Sequence, residues 1–262
     1  MDGDGRHVRC QAMNSTTIDV PTQDGKAEAF LVRPDGDGPH AGVLMYMDAI
    51  GLRPRIREMA ERIAEWGYIV LVPNVFYRDT SVADFAPQAD LLEAGAREAH
   101  MARAMKLLGA HDARRAQRDA GAYVKALRGM EGVAAGDLGT IGYCMGGALA
   151  LRTAAQHPAD VGAAGTFHAG RIATDKPDSV HRLVGRIDGE VYAAHADKDK
   201  SMPPKAISQL EKALRQAYVP FTSEVYRGAA HGFTMADTPA YDEAATERHF
   251  KALQSLFGRT LR

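Results

Sequence analysis

The sequence predicts an α/β fold: a mostly parallel central sheet with helices on both faces. Three observations carry that prediction. Short apolar runs without alternation, the mark of strands buried on both faces, recur at 41–47, 68–72, 138–143 and 161–167. Stretches with helical spacing separate them. Polar or reactive residues follow each run directly, where open parallel sheets hold their ligands.

Taken in order, residues 15–20 and 26–32 alternate weakly around the turn Gln23-Asp24-Gly25, which predicts an opening β-hairpin. A Pro/Gly/Asp loop covers 33–39. The strand at 41–47 and the loop 48–54 lead to a helix whose apolar face is Ile56, Met59, Ala60, Ile63 and Ala64, stopped by Gly67. The strand at 68–72 ends at Pro73, and 76–87 reads as irregular. From 89 to 130 the pattern is helical, with a break at His111-Asp112 and Asp112 as a candidate N-cap. A strand at 138–143 feeds a helix at 146–157, and 161–167 is a further strand. Residues 171–188 read as loop, 190–194 as strand, 203–217 as helix, 221–226 as strand and 239–257 as a closing amphipathic helix.

Length and composition bound the answer. The 262 residues fit one domain, expected at 15–262, behind a polar leader at 1–14 expected to be disordered. Met13 is an alternative start. That leader has no apolar core, so it does not read as a secretory signal. A net charge of -1 gives no electrostatic case for nucleic acid, and no run approaches the roughly 20 apolar residues of a membrane helix. Two cysteines, Cys10 and Cys144, make no disulfide framework, which fits a reducing, cytoplasmic setting. No metal-ligand spacing and no dinucleotide or phosphate loop appears, so no cofactor is expected.

The chemistry concentrates in Gly142-Tyr143-Cys144-Met145-Gly146-Gly147. A strand enters this stretch and a helix leaves it. G-x-C-x-G there has the spacing of a nucleophile elbow, with cysteine in the serine position. The flanking glycines let backbones pass, and the sulfur sits at a helix N-terminus, where the dipole favours the thiolate. His231 follows the strand at 221–226, in Gly228-Ala229-Ala230-His231-Gly232-Phe233. Asp197 and Asp199 follow the strand at 190–194. Cysteine, aspartate and histidine in this order match nucleophile, acid and base. Two residues apart, the aspartates share a face, so geometry does not separate them; Asp199 is preferred for its place beside a helix start. Other polar residues at strand ends are Asp48, Tyr77, Arg78, His168 and Arg171, candidates for substrate contact; His195 is a weaker one. A second reading stays open: a non-catalytic thiol redox sensor or ligand-binding protein on the same scaffold, because an accessible low-pKa cysteine also suits oxidation.

The chain resembles the dienelactone hydrolase family of α/β-hydrolases. Gly142-Tyr143-Cys144-Met145-Gly146-Gly147, Asp199-Lys200-Ser201-Met202-Pro203 and His231-Gly232-Phe233 carry the resemblance, supported by Met47-Asp48-Ala49-Ile50-Gly51-Leu52 and Pro73-Asn74-Val75-Phe76-Tyr77-Arg78. It spans roughly 15–258 and implies an α/β-hydrolase fold. It also implies hydrolysis of a small ester or lactone through a thioester. Cys144 would be the nucleophile, His231 the base, Asp199 the orienting carboxylate, and the backbone N–H groups of Met145 and Ala49 the oxyanion hole. Family members carry glutamate where Asp48 stands, in contact with the resting thiol. They also hold a substrate carboxylate with two arginines; Arg78 matches the first, and the second falls at Met235. The expected partner is therefore a small-molecule ester or lactone, with carboxylate-bearing ones among the candidates, held by Arg78 with help from Arg171.

Overall fold

Long runs of Val, Ile, Leu and Ala leave no polar face for solvent, and they form the centre of an eight-stranded sheet in the computed structural model, which describes residues 14–36 and 38–261. The leader at 1–13, Cys10 and Met13 included, lies outside the described residues. The hairpin pairs β1 (Asn14–Thr22) with β2 (Gly25–Arg33) in antiparallel register, Thr22 opposite Gly25. Next, β2 pairs antiparallel with β4 (Ile69–Pro73), and every further pairing is parallel. The remaining strands are β3 (Gly42–Tyr46), β5 (Leu138–Tyr143), β6 (Val161–Phe167), β7 (Glu190–Lys198) and β8 (Phe221–Ala230). The spatial order is β1-β2-β4-β3-β5-β6-β7-β8. All residues of β3, β4 and β5 are buried, as unbroken apolar runs require.

Helices close the sheet. In α1 (Pro54–Ala64) the buried residues are the predicted Ile56, Met59, Ala60, Ile63 and Ala64, and Gly67 follows at φ 92°. α1 packs with α7 (Glu243–Thr260) through Trp66 edge-on to Phe250 and an Arg62–Glu247 ion pair at 2.5 Å. α4 (Ala113–Arg128) packs with α5 (Met145–Gln156), and α6 (Pro204–Gln216) covers a second apolar cluster around Leu151, Ile172 and Leu210.

Several boundaries differ from expectation, and the loop at 171–188 holds two short 3-10 turns at Val180–Arg182 and Val184–Arg186. The irregular segment 76–87 contains a short helix, α2 (Val82–Phe85), capped by Ser81, whose Oγ accepts from the Asp84 N–H. The helical stretch at 89–130 begins only at α3 (Ala96–Ala110), because Gly95 takes φ 80° at its start. It breaks where predicted: the Asp112 carboxylate accepts from the N–H groups of Arg114 and Arg115 and starts α4. The closing helix starts at Glu243, where the Asp242 carboxylate accepts from the Ala245 N–H. Finally, β7 and β8 each run four residues past their expected ends, to Lys198 and Ala230, where they still pair with each other. That extension sets His231 immediately after a strand.

Candidate active site

β5 ends at Tyr143 and α5 begins at Met145, so Cys144 alone makes the turn, at φ 53° and ψ −119°. A non-glycine residue in this region costs of order 1–3 kcal/mol and persists only where its surroundings force it. The surroundings are glycines against backbone. A Cβ on Gly142 would lie 1.9 Å from the Gly146 carbonyl oxygen, and one on Gly146 would lie 2.5 Å from the Met47 carbonyl oxygen. Beneath the turn, the buried Tyr143 hydroxyl bonds to His249 Nε2 at 3.0 Å, while His249 Nδ1–H donates to the Thr246 carbonyl at 2.8 Å. Burial holds that histidine neutral, pushed down to about 3.

Cys144 remains partly exposed, and His231 meets it. His231 Nε2 lies 3.1 Å from Sγ, and Nδ1 lies 2.6 Å from Asp199 Oδ2. Asp199 Oδ1 accepts from the Ser201 N–H at 2.8 Å and the Ser201 hydroxyl at 2.6 Å, so the carboxylate is fixed from both sides. Asp197 points elsewhere and accepts from the Gly228 N–H at 3.0 Å. Burial opposes a charged imidazole, but the Asp199 carboxylate and the Cys144 sulfur outweigh it and raise His231 to about 10. Burial likewise works against the Asp199 charge, yet its bonds to His231 and Ser201 hold the carboxyl below its ordinary value.

The N–H groups of Ala49 and Met145 have no hydrogen-bond partner among the described residues. Met145 is the first residue of α5, so its N–H is free by position. Ala49 sits in a pinned turn: Asp48 Oδ1 accepts from the Ile50 N–H at 3.0 Å, and the Asp48 carbonyl accepts from the Gly51 N–H at 3.2 Å. From α3, the buried His100 donates through Nε2 to the Ile50 carbonyl at 2.9 Å.

The other expected contacts come out differently. Asp48 does not reach toward the thiol: its two oxygens are taken by Arg53 Nη1 and Nη2 at 2.7 and 3.0 Å, both side chains nearly covered. Arg78 is not free for a substrate carboxylate. Its guanidinium forks onto Asp119 at 2.7 Å twice and meets Asp24 through Nε at 2.8 Å. Tyr77 belongs to the same cluster, accepting from Thr22 and donating to Asp119. No hydrogen bond or ion pair links that cluster to Cys144 or His231 among the described residues. His168 stands against His231, ring centroids 5.4 Å apart, but is fully buried, with Nε2 on the Thr234 hydroxyl at 2.8 Å. Burial keeps it neutral, well below the ordinary imidazole range. His195 is buried in β7 with Nε2 3.2 Å from the Ser223 hydroxyl. The Arg171 N–H donates to the Ser201 carbonyl at 3.0 Å, beside Asp199, and its side chain is exposed.

Three residues escaped the reading of the sequence: Arg53, His100 and Arg97. Arg53 reaches Asp237 across 184 positions and His100 reaches Ile50 across 50, and no local spacing marks them. Arg97 lies one turn before His100 on α3, its Nε buried without a partner. A cavity of about 870 Å³ adjoins the Arg53 cluster, with Phe30, Leu52, Arg53, Leu91 and Asp237 in its wall. Among the described residues no group of His, Cys, Asp and Glu could hold a metal, and no helix is long and apolar enough to cross a membrane.

Comparison with known proteins fits this geometry. The dienelactone hydrolase family matches residues 27–261. A protein of Synechocystis sp. named "Putative carboxymethylenebutenolidase" is 24% identical over 253 residues, 95% of this chain and 98% of its own. A Bradyrhizobium sp. protein named "Probable 2-oxo-3-(5-oxofuran-2-ylidene)propanoate lactonase" is 25% identical over 233 residues, 88% of each chain. The crystal structure of a dienelactone hydrolase-like promiscuous phosphotriesterase from metagenomic libraries superposes with a TM-score of 0.77 at 24% identity, covering 95% of this chain and 99% of that one. With an eight-stranded, mostly parallel sheet and a match over nearly its whole length, the chain belongs to the dienelactone hydrolase family, and it is a hydrolase of the α/β-hydrolase fold.

Proposed function

We propose that the protein hydrolyses a small ester or lactone through an acyl-thioenzyme on Cys144. The observation that carries the reading is the unbroken chain from Asp199 to His231 to Cys144, at 2.6 and 3.1 Å, beside two unpartnered backbone N–H groups. An imidazole raised to about 10 keeps its proton at neutral pH and presents it to the sulfur, the pairing in which cysteine attacks as thiolate. Sγ then bonds to the substrate carbonyl carbon, and the developing oxyanion takes hydrogen bonds from the Met145 and Ala49 N–H groups. In serine hydrolases such a donor is worth roughly 3–4 kcal/mol. The carbon–oxygen bond breaks, and His231 gives its proton to the leaving alkoxide. In a lactone that alkoxide stays tethered to the acyl group. Water attacks the thioester next, His231 takes its proton, and the carbon–sulfur bond breaks to release the acid. Asp199 orients the imidazole throughout.

The name of one relative points to a lactone. The test is hydrolysis of p-nitrophenyl acetate and a lactone panel by wild type and Cys144→Ala. Turnover should vanish in the variant, and equal rates in the two would end the assignment. Reversible oxidation of Cys144 by peroxide, with no turnover of any ester, would favour the thiol-sensor reading instead.

A further inference from the structure

Arg53 is among the least exposed charged residues of the described chain, and the chemistry above gives it no task. Its guanidinium is used on every nitrogen. Nη1 donates to Asp48 Oδ1 at 2.7 Å and to the Gly51 carbonyl at 3.1 Å. Nη2 donates to Asp48 Oδ2 at 3.0 Å and Asp237 Oδ1 at 3.2 Å, and lies 3.2 Å from Met235 Sδ. Nε donates to Asp237 Oδ2 at 2.5 Å. These partners fall in two groups. Asp48 and Gly51 flank Ala49, whose unpartnered N–H is the proposed oxyanion donor; Met235 and Asp237 follow His231 by four and six residues.

We propose that Arg53 is a positioning residue that locks the loop carrying the Ala49 N–H to the loop carrying His231, so that donor and base are held against Cys144 as one unit. The Ala49 peptide has little freedom of its own, because Asp48 pins the turn through the Ile50 and Gly51 N–H groups. Where the Asp48 carboxylate goes, that peptide follows. On the other side, the His231 loop is short and internally bonded, with the Met235 N–H on the Gly232 carbonyl and the Asp242 N–H on the Phe233 carbonyl. A pull at Asp237 is therefore felt at His231. A planar fork is what this task needs: two carboxylates, four oxygens and fixed directions, which a lysine ammonium cannot match. Arg55 runs a second strap alongside, donating to the Thr234 carbonyl at 3.1 and 2.8 Å, and Thr234 in turn holds His168 against His231.

The experiment compares wild type, the charge-free pair Asp48→Asn/Arg53→Met, and Asp237→Ala, which cuts only the link to the base loop. Two readouts are taken on protein shown to melt cooperatively. The first is kcat and KM for p-nitrophenyl acetate, which rests on the hydrolytic reading. A displacement of about 1 Å at reacting groups costs roughly a hundredfold. The double variant should lose about that in kcat with KM within about threefold, and Asp237→Ala about tenfold. The second is the rate of Cys144 alkylation by iodoacetamide against pH, which needs no substrate. The groups facing the His231 imidazole are Cys144, Asp199 and the neutral His168. With the imidazole in place, the alkylation profile should match that of wild type. With His231 displaced from the sulfur the profile should change shape, a change that mere loss of stability does not produce.

If the double variant folds with kcat and alkylation profile within twofold of wild type, the proposal is overturned. Should the double variant fail to fold, Asp237→Ala decides alone, since Asp237 is partly exposed. Absence of ester turnover in wild type would defeat the hydrolytic reading, while the alkylation profiles would still decide whether Arg53 positions His231.

Discussion

Asp48 and Asp199 stand at the same edge of the sheet, past β3 and β7, and both carboxylates are almost fully covered. One faces an imidazole, the other a guanidinium. An imidazole near neutrality can give and take a proton; a guanidinium keeps all of its protons. On the proposed mechanism the Asp199 region moves a proton toward the partly exposed sulfur, and on the proposal for Arg53 the Asp48 region holds two loops still. The third buried carboxylate, Asp119, pairs with Arg78 and joins α4 to the segment after β4. The partner decides the role of such a carboxylate, and a strand-end position does not.

The sharpest way to break this comparison is to neutralise each acid in turn. Asp199→Asn should lower kcat by about 10³–10⁴-fold with the fold intact, as loss of the orienting acid does in serine triads. Asp48→Asn, which leaves Arg53 with Asp237, should cost only about tenfold. Equal losses, measured on one ester at saturation, would erase the distinction. Stability should rank the other way. Arg53→Leu strands a buried carboxylate, and urea melts should show a loss of about 3–5 kcal/mol. Arg78→Met strands Asp119 in a more open cluster and should cost about 2 kcal/mol, with kcat within twofold. A selective loss against acidic esters in that variant would return Arg78 to the substrate site.

The smallest effect per unit of pH separates proton-moving from proton-excluding histidines. His249 and His195 are buried neutral, pushed down to about 3 and about 4. Below about 6.5 the unfolded chain binds protons that the native one refuses, so stability falls with pH through that window, by about 1.4 kcal/mol per unit for each group. His231 has the opposite sign. Its stabilising pairing is fully present below about 6.5 and is lost as pH rises toward about 10. Melts of wild type and His231→Gln from pH 4 to 10 should therefore diverge least on the alkaline side.

Much of this was legible in the sequence, and the illegible remainder has a physical pattern. Unbroken apolar runs located the central strands, because burial on both faces leaves a mark that needs no partner. The glycines around Cys144 announced the turn, since only close backbone passage demands them at that spacing. Chain order brought Cys144, Asp199 and His231 forward together. The pairing of Asp48 with Arg53 and of Arg78 with Asp119 was not legible, because ion pairing is settled by contacts such as Arg53 to Asp237, 184 positions apart. His100 and Arg97 were passed over for the same reason: within α3 they look like any solvated turn.

The turn at Cys144 also says where this protein can and cannot change over generations. A single added carbon at Gly142, Gly146 or Gly147 drives into main chain or a buried threonine, so sequence drift there is blocked one atom at a time. By contrast, Gly95, at the start of α3, has open space around it. Changes of substrate preference should therefore be sought away from those three glycines, where a side chain can be added without displacing main chain.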